Sequence, residues 1–235
     1  MKNIFFIIFT VLLISCGQLK AQFEGKQFVS GSAGLNFGNT NPSTAKATNG
    51  YGYNFNVDIG KFKTNTKAVG WRISSSLGGG KSIYNLYNNG SLTEYEKDGI
   101  KSFSAGVGRF WQFYKQFNDK IGIFGGPNVD LSFSNSRQYE TSSDANFLFE
   151  NKANTISISA GLSAGLYYRF SEKWWVNASL AFASPFSVGY SFLHSNVESQ
   201  NEGNLPNDSG QLNYSFSPTL TFPSVGFGLR YFYNR

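Results

Sequence analysis

The chain has 235 residues and is 40% apolar and 17% aromatic but only 14% charged, and Gly (26) and Phe (24) stand where a helical protein carries Leu, Ala, Glu and Lys. A helix bundle is excluded, and no apolar run reaches the roughly 18 to 20 residues of a membrane-spanning helix, the longest being Ile4 to Ile14. Few charges for this length, with a formal net charge of +6, imply that something other than water faces much of the surface; if that is a membrane, strands must cross it.

Lys2, the apolar run Ile4 to Ile14 and the polar stretch Ser15 to Ala21 have the layout of a secretory signal. Cleavage after Ala21 is expected, with 1–21 as the leader and 22–235 as the mature domain. Leu13-Ile14-Ser15-Cys16 also has the form of a lipobox, in which Cys16 would be acylated and become the N-terminus. Cleavage after Ala21 removes the only cysteine and leaves one histidine. Neither a disulfide, a thiol nucleophile, a zinc site nor any other cofactor is therefore expected.

The mature domain alternates with period 2. Val29, Gly31, Ala33, Leu35 and Phe37 share one face in the first segment, and Tyr51, Tyr53, Phe55, Val57 and Ile59 in the second. Val69, Trp71, Ile73 and Leu77 follow, then Phe103, Ala105, Val107 and Trp111, then Ile121, Ile123, Val129, Leu131 and Phe133. The clearest run is Thr155 to Phe170, where every even residue is apolar and the odd ones are mostly Ser and Gly. Trp174 to Val188 repeats the pattern, and the last segment, Leu212 to Tyr233, changes phase near Pro223, where a bulge is expected. A helix would scatter these residues around its circumference, whereas a strand puts them on one face, so eight strands are predicted.

The opposite face is mostly Gly, Ser and Asn, with few of the Lys and Glu that solvate an exposed sheet. Such a face suits a narrow interior. The prediction is an all-β, closed, antiparallel eight-stranded up-and-down transmembrane barrel, apolar outside, with a lumen that side chains just fill. Connections alternate between long (39–50, 79–99, 135–153, 191–211) and short (63–67, 112–118, 171–173), which assigns long loops to the cell exterior and short turns to the periplasm. Trp71, Trp111, Trp174 and Trp175 all fall near the short turns, joined by Phe62, Phe110, Phe113, Tyr114, Phe170 and Tyr231 to Tyr233, and read as an interfacial aromatic girdle.

Charge follows the same polarity. Lys61, Lys63, Lys67, Arg109, Lys115, Lys120, Arg169, Lys173, Arg230 and Arg235 crowd the short-turn end against Asp119 and Glu172, while the long loops together are acidic. The pI of about 9.3 therefore reads as a rim of cations reaching membrane phosphates, not as a nucleic-acid surface. If the turn 63–67 joins Phe62 to Ala68, Asp58 faces Arg72 inside the barrel, and an ion pair is expected there, extended by Asp130 and Arg230, because an unpaired charge in a lumen is costly. Arg169 is expected opposite Trp175, in cation–π distance.

The segments Gly108-Arg109-Phe110-Trp111-Gln112-Phe113-Tyr114 and Asp119-Lys120-Ile121-Gly122-Ile123-Phe124-Gly125, and the ending Pro223 to Tyr233, together with the leader and the alternation, resemble the small outer-membrane β-barrel proteins of Bacteroidota. The chain is more distantly similar to the OmpX-like and OmpA-like eight-stranded barrels. The resemblance implies insertion by the barrel-assembly machinery, no known catalytic residues, and an assembly signal in Gly228, Tyr231 and Tyr233, from which this chain departs by adding Asn234 and Arg235.

Two chemical signals compete with this reading. Gly78-Gly79-Gly80-Lys81-Ser82 ends like a phosphate-binding loop, but the position of the first glycine holds Ser75. His194, Ser195 and Glu198 or Glu202 contain the residue types of a lipid A deacylase, yet they fall in a loop-like stretch, and a general base needs a rigid orienting group. The expected role is structural or surface-interacting, not enzymatic, with outer-membrane lipid and lipopolysaccharide around the wall. Loops 79–99 and 135–153, whose Tyr84, Leu86, Tyr87, Phe147 and Leu148 are unusually apolar, are expected chiefly to pack on one another, with a surface protein or glycan as the partner they could bind instead. A narrow channel, or an accessory subunit of a secretion or uptake complex, are the alternatives.

Overall fold

The computed structural model describes residues 23–43, 46–88, 91–142, 147–181, 185–197, 207–216 and 225–233. The leader with Cys16, and also Glu198, Glu202 and Pro223, lie outside them. The described residues contain twelve strands and no helix: β1 (Gln27–Thr40), β2 (Thr48–Thr64), β3 (Lys67–Gly79), β4 (Ser82–Asn88), β5 (Ser91–Lys97), β6 (Ile100–Gln116), β7 (Ile121–Thr141), β8 (Leu148–Arg169), β9 (Trp174–Ala181), β10 (Phe186–Val197), β11 (Asn207–Phe216) and β12 (Val225–Phe232).

Eight of them form a closed antiparallel ring in the order β1-β2-β3-β6-β7-β8-β9-β12, and β12 returns to β1 from Phe28↔Phe232 to Gly31↔Leu229. β10 and β11 continue the wall above β9 and β12, with β10 hydrogen-bonded to β8 from Phe186↔Ala160 onward. Three spans expected as loops are largely sheet, among them 191–211, where β10 runs to Val197 and β11 starts at Asn207, so that His194 and Ser195 stand on a strand and not in a loop. Within 79–99, β4 and β5 form a separate hairpin, while β7 and β8 run for 21 and 22 residues, well past the roughly 9 to 11 that cross a bilayer.

Local chemistry sets the short turns. Asn118 Oδ1 accepts from the backbone N–H of Lys120 and Ile121 at 2.9 and 2.8 Å, and Ser171 Oγ accepts from Lys173 and Trp174 at 3.3 and 3.0 Å. Both side chains stand in for a backbone acceptor and hold the chain in reversal. At the β2–β3 turn, Asn65 Oδ1 instead accepts from Phe23 N at 2.9 Å and ties the start of the described chain across the barrel mouth.

Alternation decides which side chains enter the lumen. Leu35, Phe37, Ile73, Leu131, Ile156, Leu166 and Phe227 project outward and are exposed. The inward face is small and polar in its upper part, where Ser76 meets Ser104, Ser132 meets Ser157 and Thr155 meets Ser191, each pair at 2.8 Å. Its lower part differs. Phe23, Phe28, Phe62, Phe110, Tyr114, Phe124, Tyr167, Trp175 and Phe232 form one buried aromatic cluster at the short-turn end. Tyr167 stacks on Trp175 at 4.6 Å and 15°, and Trp175 packs against Phe232 at 4.6 Å. Such pairs contribute about 0.5–1.5 kcal/mol beyond area burial.

The girdle expectation is corrected here. Trp71, Trp111 and Trp174 face outward, but Trp175 is only 1% exposed, and Phe62, Phe110, Tyr114 and Phe232 are also inside. Neighbours on a strand point to opposite faces, so once Trp174 takes the outer side Trp175 must enter the lumen. Glycine makes room for the rings. A Cβ on Gly70 would collide with the Phe110 ring and the Ile59 carbonyl, and one on Gly165 would lie 2.6 Å from Phe124 Cζ. Gly70→Ala should destabilise the barrel by about 1–3 kcal/mol in denaturant unfolding in detergent, as overpacking does, while Gly38→Ala, with nothing within 4 Å, stays near neutral.

Candidate functional site

The residues that combine charge with enclosure lie just above the aromatic cluster. Asp58 on β2 stands opposite Arg72 on β3, and its carboxylate accepts from Arg72 Nε at 2.8 Å and Nη2 at 3.3 Å. Asp130 on β7 accepts from Asn128 Nδ2 and lies in electrostatic reach of Arg72. Arg230 on β12 does not join them. It is 1% exposed, donates through Nη1 to the Tyr114 hydroxyl and through Nη2 to Gln112 Oε1 at 3.2 Å, and its guanidinium carbon lies 4.0 Å from the centre of the Phe28 ring. The Tyr114 hydroxyl donates onward to Gln112 Oε1 at 2.6 Å. Among the described residues Arg230 has no carboxylate partner; ring faces and neutral acceptors compensate its charge.

Between the Asp58–Arg72 pair and Arg230 lies a cavity of about 170 Å³, bounded also by Ser30, Ser32, Asn56, Gln112 and Asn177. Asn56 Oδ1, Asn177 Oδ1 and Arg230 Nε are buried there without a protein partner, and a space of this size and polarity suits ordered water. The arrangement places fixed charges around a polar cavity inside the barrel. Arg169 does pair in register with Trp175, but the ring stacked on Trp175 is Tyr167.

Outside the barrel, at the short-turn end, the Arg109 guanidinium sits 4.8 Å over the Trp71 ring and Lys67 Nζ lies 5.6 Å from the Phe113 ring centroid. Trp174 packs against Tyr231 at 4.8 Å. Of the residues expected to form an assembly signal, Gly228 faces the lumen cavity, Tyr231 is half-buried and Tyr233 is exposed.

At the opposite end the strand extensions carry their own polar network. Glu150 is buried and accepts from Arg137 at 3.0 Å, Lys152 at 2.8 Å and the Tyr139 hydroxyl at 3.1 Å. Burial raises its carboxyl, but the bonds from Lys152 and Tyr139 and the charges of Lys152 and Arg137 outweigh that and hold it below the ordinary carboxylate range. Tyr84 of the β4–β5 hairpin packs on Tyr139 at 5.8 Å, and Leu86 and Leu148 are buried.

His194 Nδ1 meets Asp208 Oδ1 on the next strand, beside a groove lined by Tyr190, Phe192 and Gly210. Ser195, the adjacent residue, points to the other side of the sheet and donates to Asn151 at 2.7 Å. The structure thus does not bring His194 and Ser195 together as base and nucleophile. Sequence reasoning missed Asp208 as the partner of His194, and Tyr114 and Gln112 as the partners of Arg230. No protein-family model matches the chain, and no curated protein matches its sequence.

Arg230→Ala should lower stability by about 2–4 kcal/mol in denaturant unfolding, because it opens a void against Phe28 and removes the donors that Tyr114 and Gln112 accept from, although these two stay bonded to each other. Arg230→Met should recover most of that loss by filling the space on Phe28; no recovery would mean that the charge itself, rather than packing, holds the layer.

Proposed function

We propose that the protein is an integral outer-membrane β-barrel, exported through the cleaved leader 1–21, with a blocked lumen and a non-catalytic role. What supports the reading best is a single juxtaposition: an eight-stranded closed wall with large apolar side chains on its outer face and an aromatic plug with a buried arginine across its inside. In water such an outer face would aggregate. In lipid it is the low-energy side, and a closed sheet leaves its backbone groups paired. The resemblance to small Bacteroidota barrels agrees with this reading, and with insertion by the assembly machinery through the Gly228, Tyr231 and Tyr233 ending.

The role we assign is structural or surface-interacting. The β4–β5 hairpin and the β7–β8 ribbon would stand beyond the bilayer as a rigid rim, with Tyr87 and Leu92 exposed for a protein or glycan partner. A channel would need a wet path past Phe62, Trp175 and Phe232, and an accessory subunit would use the same rim.

The purified full chain should partition with the outer membrane, migrate anomalously on gels until boiled, and give no resolvable conductance steps in planar bilayers. Recovery in the aqueous fraction would overturn the membrane reading. Large stepwise currents would overturn the plug.

A further inference from the structure

The rim cations are not evenly spread, and their distribution points to a ligand. The registers of β2, β3 and β6 set three outward rows side by side: Ile59, Trp71 and Arg109; then Lys61, Val69 and Trp111; then Lys67 and Phe113. Strand spacing of about 4.8 Å and a two-residue repeat of about 6.8 Å place Lys61, Lys67 and Arg109 within roughly 15 Å of one another. Arg109 lies on Trp71 and Lys67 beside Phe113, while Trp71 and Phe113 are each more than half exposed. Among the described residues none of the three cations is in an ion pair. Glu24, whose backbone N–H is bonded to Asn65 in the β2–β3 turn, does not pair with them. Across the barrel the short turns mix signs, with Asp119 beside Lys120 and Glu172 beside Lys173.

From this geometry we infer that the outward face of β2, β3 and β6 at the short-turn end binds the phosphate of an anionic phospholipid. The rings hold the cations against the wall at headgroup depth and flank the acyl chains below. Lys61 lies in the row between the two ring-held cations and meets the phosphate oxygens, which are the acceptors this sector lacks, while Arg109 and Lys67 flank it on either side and add to the positive field. Charge complementarity selects the occupant: a neutral zwitterionic headgroup brings its own ammonium into an already cationic sector, whereas phosphatidylglycerol brings only negative charge. The inference rests on the outer-membrane reading of the barrel and gives it a defined lipid contact.

The test is native mass spectrometry of the full chain, purified from membranes in mild detergent and titrated with phosphatidylglycerol, phosphatidylethanolamine of the same acyl chains, lipid A and inorganic phosphate. Wild type should retain phosphatidylglycerol about tenfold more tightly than phosphatidylethanolamine. Lys61→Gln/Lys67→Gln/Arg109→Gln should reduce that preference to within about twofold, and Lys120→Gln/Arg169→Gln/Lys173→Gln should keep it. Equal binding of the two phospholipids by wild type, or equal loss in both variants, would overturn the inference while leaving a boiling-sensitive barrel, and so the membrane reading, intact. Tighter retention of lipid A, or saturation by inorganic phosphate alone, would overturn the choice of ligand. Should the triple variant fail to fold, single substitution of the exposed Lys61 and the wild-type selectivity decide the matter. A chain that is never membrane-bound removes both readings together.

Discussion

Four residue pairs, Phe28 to Gly31 against Phe232 back to Leu229, seal the sheet on itself, and much of the molecule depends on them. An open sheet of this composition would present rows of unpaired N–H and C=O groups beside its apolar face. The same short stretch carries the interior. Phe28 and Phe232 belong to the aromatic cluster, and Arg230, the register partner of Ser30, rests on the Phe28 ring. Closure and interior packing are thus one event: residues that complete the ring also belong to its aromatic interior.

The lumen is layered as a consequence. Aromatic rings occupy the short-turn end and seat on glycines of neighbouring strands. Above them lie the arginines, each compensated differently: Arg72 by a carboxylate across one hairpin, Arg230 by rings and neutral acceptors. Higher still the face falls to serine pairs. A wall of eight strands leaves space for little else, so bulk in one layer is matched by smallness in the next.

Much of this order is legible in the sequence. Period-2 alternation identifies the outer face, and one turn length places Asp58 across from Arg72, because neighbouring strands of a hairpin share a register fixed by the turn. The partners of Arg230 are not accessible that way. Tyr114 and Gln112 lie on β6, across the barrel from β12, and their meeting depends on the stagger with which the ring closes. The inward aromatics were legible in principle: Phe62, Phe110, Tyr114, Trp175 and Phe232 all have lumen parity, and grouping them by chain end instead of by parity hides it. The β4–β5 hairpin also had a signal, the dipeptide Asn89-Gly90 between the paired Asn88 and Ser91, a strong short-range mark of a two-residue turn. His194 found Asp208 only through the β10–β11 register, across a connection too long for a simple count.

The outward and inward assignment of adjacent tryptophans exposes the central claim most directly. Single-tryptophan forms of the chain, reconstituted into vesicles containing brominated acyl chains, report contact with lipid through loss of fluorescence. A form retaining Trp71 or Trp174 should be strongly quenched, and one retaining Trp175 should keep its emission. Quenching of Trp175, or none at any of the three, would contradict an apolar exterior facing lipid around an aromatic-filled interior.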